Sequence, residues 1–290
     1  MTITHRGLLD DADYDLAEVV LESWDAFIAL VDHTDLSART RLDGWTVREV
    51  VLHLGTWDGQ SALTQVLASL RSGDTRTPLD PDSFNAEVLK LHADATDDEV
   101  RAALAESRSA VAELLASDEA RDRAGDPVSS VLGPMPLLTV MHAGCYELAL
   151  HALDIEDATD ERCPDVLLRH GIAALADSTG CLAAREGIEA AAGVNADEAS
   201  WSFATRSDGS WSTRRIEGAA HGPRVSGSAR NLLEASAGRV DPVRLVTLRQ
   251  LKIKHVSGLL ALTPIIDQVP GLPGGRGLKV AARTIGGLFR

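Results

Sequence analysis

Three side chains of metal-binding type lie on two helix-like stretches that are far apart in the sequence. Glu147 and His151 are four residues apart in MHAGCYELALHALDI, so a helix places them on one face about one turn apart. His53 lies in the other stretch, GWTVREVVLHLGTWDG. If the two helices pack side by side, two imidazoles and one carboxylate can bind one ion and leave a coordination position open. That arrangement is typical of catalytic zinc.

The spacing by itself also fits a simpler interpretation. A Glu-x-x-x-His pair occurs often by chance, either as a surface ion pair or with a hydrogen-bonded core histidine. The apolar setting favours the metal site, because three apolar residues (50–52) precede His53 and three more (148–150) separate Glu147 from His151. Ionisable groups buried in such surroundings cost several kcal/mol unless they are paired or bound to a metal.

The first half of the chain is predicted to be helical. Apolar residues at spacings of three and four predict a helix over about 13–32. Thr46 followed three residues later by Glu49 predicts a capping box, and we expect the helix that it starts to continue through Gly59 towards Leu70. Further helices are predicted over about 84–92, 97–115, 138–155 and 165–191.

The second half changes to strand-like alternation. ASWSFATRS and SWSTRRIEG flank Asp208-Gly209, which predicts a hairpin. GPRVSGSA predicts another strand, NLLEASAG a short helix, and Asp241-Pro242 the start of a helix leading to Lys252. The predicted fold is therefore mostly α with an α+β second domain. A four-helix bundle occupies residues 1–160, and a small α+β domain with a basic, Gly-rich tail occupies residues 161–290.

The composition excludes several classes of function. Lys and Arg number 28 against 43 Asp and Glu, a formal charge of -15, which argues against a general nucleic-acid or anionic-membrane surface. The N-terminus has no apolar signal core, and no apolar run is long enough to span a bilayer. Three widely spaced cysteines suit neither a disulfide framework nor a Cys-x-x-Cys metal site. We therefore expect a cytoplasmic protein, either a monomer or a homodimer.

The two stretches resemble the mycothiol-dependent maleylpyruvate isomerase family, whose bundle belongs to the DinB-like superfamily. The resemblance is carried by Trp45-Thr46-Val47, by His53-Leu54, and by Glu147-x-x-x-His151 with Asp154 after it. It implies a DinB-like four-helix bundle in which His53, Glu147 and His151 bind a divalent metal, expected to be zinc. The segment from VSGSARNLLEASAG to LKIKHVSGLLALTPII resembles the sterol carrier protein-like domain that often follows this bundle.

The resemblance also implies a cosubstrate, mycothiol. A thiol is mostly protonated near neutral pH, and a metal that coordinates it stabilises the nucleophilic thiolate. In an isomerase, the thiolate would add to the cis alkene of maleylpyruvate, the resulting single bond would rotate, and elimination would leave the trans product. In an S-transferase, the same thiolate would attack an electrophile and the conjugate would be released. The metal ligands would serve both reactions equally.

Five more residues are candidates for supporting roles. Asp154 could accept a hydrogen bond from a ligand histidine, or it could cap the end of its helix. Trp45 and Trp57 could line the pocket, although aromatic residues at helical spacing are usually core. Arg214 and Arg224 could bind carboxylates of the thiol or the substrate, because guanidinium pairs with carboxylate in bidentate fashion, or they could be ordinary surface charges.

Two other classes of function remain open from the sequence. In a binding protein, the C-terminal domain would hold an apolar ligand and the bundle would act as a scaffold. In a metal-dependent hydrolase of the same superfamily, zinc-bound water would attack the substrate directly. Bound zinc with thiol-dependent activity distinguishes the thiol-using enzyme from both.

Overall fold

The computed structural model describes residues 7–10, 14–75, 81–159, 161–197 and 199–266. The basic tail noted in the sequence, from Gly274 to Arg290, lies outside these residues. The chain divides into two compact units: Asp15–Leu167 forms one, and the residues from Leu168 onwards form the other together with the N-terminal segment that ends at Tyr14. Within the described ranges, no helix is both long enough and apolar enough to cross a bilayer.

The first unit is a helix bundle with one short strand pair. Helix α1 packs against α5 and α7, and α2 packs against α5 and α4. The side chains of Phe27, Leu104 and Leu148 are fully buried between these helices. The elements of this unit are α1 (Leu16–Asp32), α2 (Val47–Leu54), α3 (Ala62–Ser72), α4 (Pro81–Leu91), α5 (Asp97–Ala116), α6 (Asp118–Asp122), β1 (Pro127–Val128), β2 (Met135–Pro136) and α7 (Leu137–Ile155).

The start of α2 follows the sequence prediction, but its end does not. The carboxylate of Glu49 accepts a hydrogen bond from the Thr46 backbone N–H at 2.7 Å, which confirms the predicted capping box. The predicted continuation to Leu70 is wrong, because α2 ends at Leu54. Asp58 and Gly59 have φ values of 50° and 74° in a tight turn, and α3 begins three residues after it as a separate helix.

The second unit is built on a five-stranded sheet of order β5-β4-β3-β6-β7. Only the β3–β6 pair is parallel, and the β4–β5 hairpin crosses Asp208-Gly209 as predicted. Its elements are α8 (Asp165–Arg185), which begins just before the unit boundary, β3 (Ala191–Asn195), β4 (Ser200–Thr205), β5 (Trp211–Ile216), β6 (Arg224–Gly227), α9 (Ala229–Ser236), α10 (Pro242–Thr247), β7 (Leu251–Lys254), α11 (Val256–Leu260) and α12 (Thr263–Ile266).

Two predicted helix ends are wrong in this unit. Helix α8 ends at Arg185 rather than near residue 191, and α10 ends at Thr247 rather than at Lys252. Residues 251–254, Leu-Lys-Ile-Lys, alternate between apolar and charged, and they pair with β6 as an edge strand. The overall class, a mostly helical chain with an α+β second part, is as predicted.

The N-terminal segment is held in the second unit by a buried carboxylate. Asp177 of α8 has no exposed surface, and its Oδ1 atom accepts hydrogen bonds from the Leu8 backbone N–H, the Trp211 indole N–H and the Thr213 hydroxyl. The three donor–acceptor distances are 3.1, 3.2 and 2.8 Å. A buried carboxylate is stable only when such donors replace its lost hydration.

Two helical glycines allow a matched test of packing in the two units. A Cβ atom at Gly180 in α8 would lie 2.9 Å from Cδ1 of Trp211 and 3.1 Å from Cβ of Phe203, whereas a Cβ atom at Gly144 in α7 would meet nothing within 4 Å. We expect Gly180→Ala to destabilise the protein by about 1–3 kcal/mol. Gly144→Ala should stabilise it by about 0.5–1 kcal/mol, because alanine favours the helix. Urea unfolding of the full chain measures both, and a Gly180→Ala variant that is as stable as the wild type would contradict the close packing around Gly180.

Candidate metal centre

Helices α2 and α7 bring together the three side chains that the sequence singled out. His53 lies in the last turn of α2, and Glu147 and His151 lie one turn apart on α7. Nε2 of His151 is 3.2 Å from Nε2 of His53 and 3.2 Å from Oε1 of Glu147, and Nε2 of His53 is 3.4 Å from the same Oε1 atom. The three atoms therefore form a nearly equilateral triangle of potential ligands.

The size of this triangle matches the ligand spacing of zinc. In a tetrahedral site with bonds of about 2.0–2.1 Å, neighbouring ligand atoms are about 3.3 Å apart. The three observed separations of 3.2, 3.2 and 3.4 Å lie on either side of that value. Three donors with this spacing leave the fourth tetrahedral position for another ligand.

The outer nitrogen of each imidazole faces an acceptor. Nδ1 of His53 lies 2.8 Å from Oδ1 of Asn85, so Nδ1 carries the proton and donates it. Nδ1 of His151 lies 3.3 Å from Oδ2 of Asp154, close enough for an ion pair but poorly aligned for a hydrogen bond. Asp154 is fully buried and accepts from Nε of Arg41 at 2.8 Å. A neutral imidazole with its proton on Nδ1 has its lone pair on Nε2, which is the tautomer that metal binding through Nε2 requires.

Electrostatics strengthens the preference for a cation at this point. Burial by itself would lower the pKa of His151, but Asp154 and Glu147 raise it to about 9. Desolvation would raise the pKa of Glu147, but hydrogen bonds and charge from His151 and His53 hold it well below its usual range. Three lone pairs about 3.3 Å apart repel one another unless a positive charge lies between them. The cluster therefore favours a positive charge among its three donor atoms.

Access to the cluster is from the side of Glu147. The side chain of Glu147 is 48% exposed, whereas those of His53 and His151 are 13% and 8% exposed. The indole of Trp45 borders the cluster, with its ring centroid 5.8 Å from that of His53 at an interplanar angle of 61°. The two imidazole donors are therefore mostly buried, and the carboxylate donor is the one that reaches solvent.

Of the other candidates, Trp57 belongs to the first unit, and Arg214 and Arg224 belong to the second. Trp57 stacks on His92 with ring centroids 4.2 Å apart, and its indole N–H donates to the Leu52 carbonyl at 3.0 Å. Arg214 is an exposed residue of β5 in the second unit, and Arg224 begins β6 there, donating to the Gly222 carbonyl at 2.9 Å. The cluster itself belongs to the first unit. A role for Trp57, Arg214 or Arg224 in binding thiol or substrate stays a prediction.

Two residues at the cluster carried no signal in the sequence. Arg41 lies in a polar loop between α1 and α2, where its charge is indistinguishable from that of its neighbours. Asn85 lies on α4, a helix with no recognisable motif. Only the tertiary structure shows that Asn85 contacts His53. It also shows that Arg41 contacts Asp154, which in turn lies beside His151.

The helical unit is similar to a known domain family. Residues 18–156 match the family model described as the mycothiol maleylpyruvate isomerase N-terminal domain. The matched residues span most of the first unit. The match contains His53, Glu147 and His151, and it supports the family resemblance noted in the sequence.

A solved structure of the mycothiol-dependent maleylpyruvate isomerase has a similar fold. One crystal structure of that enzyme is 16% identical to this chain and aligns with a TM-score of 0.50. The alignment covers 79% of this chain and 92% of the enzyme chain. A mutant form of the enzyme is also 16% identical, and its alignment covers 85% of this chain and 95% of the mutant chain with a TM-score of 0.48. No curated protein matches the sequence significantly. At this identity, the first likeness shows a common fold that extends beyond the maleylpyruvate isomerase domain.

Proposed function

We propose that this protein is a metal-dependent enzyme that uses mycothiol, or a similar small thiol, to isomerise a cis alkene of the maleylpyruvate type. The observation that carries the proposal is the triangle formed by Nε2 of His53, Nε2 of His151 and Oε1 of Glu147. This cluster lies within a maleylpyruvate isomerase N-terminal domain. Zinc is the proposed ion because the triangle has the spacing of a tetrahedral zinc site.

The donor set suits the binding of an anion. Two neutral imidazoles and one carboxylate contribute a total charge of -1, so a divalent ion would leave the site with a net charge of +1. When bound, the metal supplies a charge that lowers the pKa of a thiol and stabilises its thiolate. The carboxylate of Glu147 reaches solvent, and we place the entry of thiol and substrate on that side.

The remaining residues orient the donors. Nε of Arg41 donates to the fully buried carboxylate of Asp154, whose Oδ2 atom lies 3.3 Å from Nδ1 of His151. The ring of Trp45 packs against His53 and limits its rotation. Such pre-organisation is effective in catalysis because the donors do not need to be reorganised when the substrate binds.

An activity assay on zinc-loaded protein tests this function. Maleylpyruvate should isomerise only when both the metal and mycothiol are present, and no thioether conjugate should accumulate. Glu147→Gln should reduce the activity and the zinc affinity by more than about 10-fold, because it removes the anionic donor. Glu106→Gln, which changes an exposed glutamate on α5, is the matched control and should leave both unchanged.

Other outcomes of these assays would support a different function. A stable conjugate of the thiol with an electrophile would indicate an S-transferase that uses the same donors. Turnover of an ester or amide without any thiol would indicate a hydrolase and would contradict thiol dependence. Protein purified with bound lipid and with no affinity for zinc would favour the binding-protein alternative.

A further inference from the structure

The two histidines of the candidate metal centre have outer partners of different charge. Nδ1 of His151 faces the buried carboxylate of Asp154, which Arg41 neutralises. Nδ1 of His53 faces the side-chain amide oxygen of Asn85 at 2.8 Å. Of these two contacts, only the one between His53 and Asn85 has the geometry of a hydrogen bond, because Nδ1 of His151 is poorly aligned with Asp154.

Asn85 is held in place by other contacts of its helix. Asn85, Val88 and His92 lie at positions i, i+3 and i+7, which form one face of α4 and the residue that follows it. Val88 is buried, and His92 stacks on Trp57, whose indole N–H is bonded to the Leu52 carbonyl beside His53. These contacts fix α4 against α2, so the position of the Asn85 amide is determined by packing.

We propose that Asn85 is a positioning residue that fixes the tautomer and ring orientation of His53 for metal binding. The inference rests on the proposed metal-dependent function. Without an acceptor at Nδ1, a neutral His53 can carry its proton on Nε2, where it blocks the lone pair. The ring is also free to rotate away from Nε2 of His151. Loss of a partner of this kind typically weakens metal affinity or activity by about 10–100-fold.

Three variants of the full-length protein separate orientation from packing. Asn85→Leu keeps the approximate size of the side chain but removes the acceptor. Asn85→Asp keeps an acceptor in the same place and adds a negative charge. Glu87→Leu changes an exposed residue of the same helix and is the matched control. If Asn85 orients His53, the Asn85→Asp variant should bind metal at least as tightly as the wild type. The Asn85→Leu variant should bind metal more weakly than both.

The test is the dissociation constant for Zn²⁺ and Co²⁺, measured by chelator competition, together with the visible absorption of the Co²⁺ form. We expect Asn85→Leu to bind about 10–100-fold more weakly with an altered Co²⁺ spectrum. Asn85→Asp should bind at least as tightly as the wild type, and Glu87→Leu should be indistinguishable from it. Urea unfolding of the metal-free variants checks that all of them are folded.

The possible results have different consequences. If Asn85→Leu binds metal as tightly as the wild type, or if Asn85→Asp is weakened as much as Asn85→Leu, Asn85 does not orient His53 and the inference is overturned. If the wild type itself binds neither Zn²⁺ nor Co²⁺, the proposed function fails and the role of Asn85 fails with it. Since metal binding is measured directly, these two failures are distinguishable without an activity assay.

Discussion

Replacement of His151 by alanine is expected to abolish stoichiometric zinc binding. The Nε2 atom of this residue is 3.2 Å from each of the other two donors, so its removal leaves only His53 and Glu147 from the triangle. Two donors from different helices cannot hold a tetrahedral ion tightly. We expect the affinity to fall by more than about 100-fold, beyond the usual range for residues that only orient a ligand. Thiol-dependent activity should be lost with the metal.

His142→Ala is the matched control for this prediction. His142 is also a buried histidine of α7, with 1% of its surface exposed, but it does not belong to the three-residue cluster. Its replacement should reduce the free energy of unfolding and leave the zinc dissociation constant unchanged. Inductively coupled plasma mass spectrometry and chelator competition measure both variants. An equal loss of zinc in the two would mean that damage to α7, rather than loss of a ligand, explains the effect.

The second large effect is expected at the buried ion pair beside the cluster. Arg41→Met leaves Asp154, which has no exposed surface, without the guanidinium that lies 2.8 Å away. Removing one partner of a buried ion pair typically destabilises a protein by about 3–5 kcal/mol. We expect a loss of this size in the free energy of unfolding of metal-free protein, together with weaker zinc binding because His151 loses a fixed acceptor.

The reverse substitution should be milder. The side chain of Arg41 is 26% exposed, so its guanidinium can turn towards water when Asp154 is replaced by asparagine. We expect Asp154→Asn to cost about 1–3 kcal/mol, the effect of a weakened buried hydrogen bond. Urea unfolding in the presence of a chelator compares the two variants. Greater destabilisation by Asp154→Asn than by Arg41→Met would contradict the assigned burial of the carboxylate.

Features of the fold that depend on neighbouring residues could be predicted from the sequence. The capping boxes at Thr46 and Thr96 need only the glutamate three residues later, and both are present. The helix that carries Glu147 and His151 follows from continuous helical periodicity. The break between α2 and α3 was missed because apolar spacing continues across it, while the turn at Asp58-Gly59 determines the backbone.

Features that depend on long-range packing could not be predicted. The helix predicted from Asp241 extends to Lys252, into the first residues of β7, because nothing local shows that an unpaired edge of β6 is available to them. At the cluster, the types and order of the three donors are visible in the sequence. Asn85 is 32 residues from His53, and Arg41 is 113 residues from Asp154, so their pairing appears only once α4 and the loop before α2 are in place.

The most direct measurement is the anomalous scattering of a crystal of this protein grown with zinc, collected on both sides of the zinc absorption edge. One peak is predicted at about 2.0–2.2 Å from Nε2 of His53, Nε2 of His151 and a carboxylate oxygen of Glu147, with a fourth, non-protein ligand completing a tetrahedron. If there is no zinc peak between α2 and α7, or if the zinc is bound by other residues, the three side chains are not a metal centre and the proposed function is wrong.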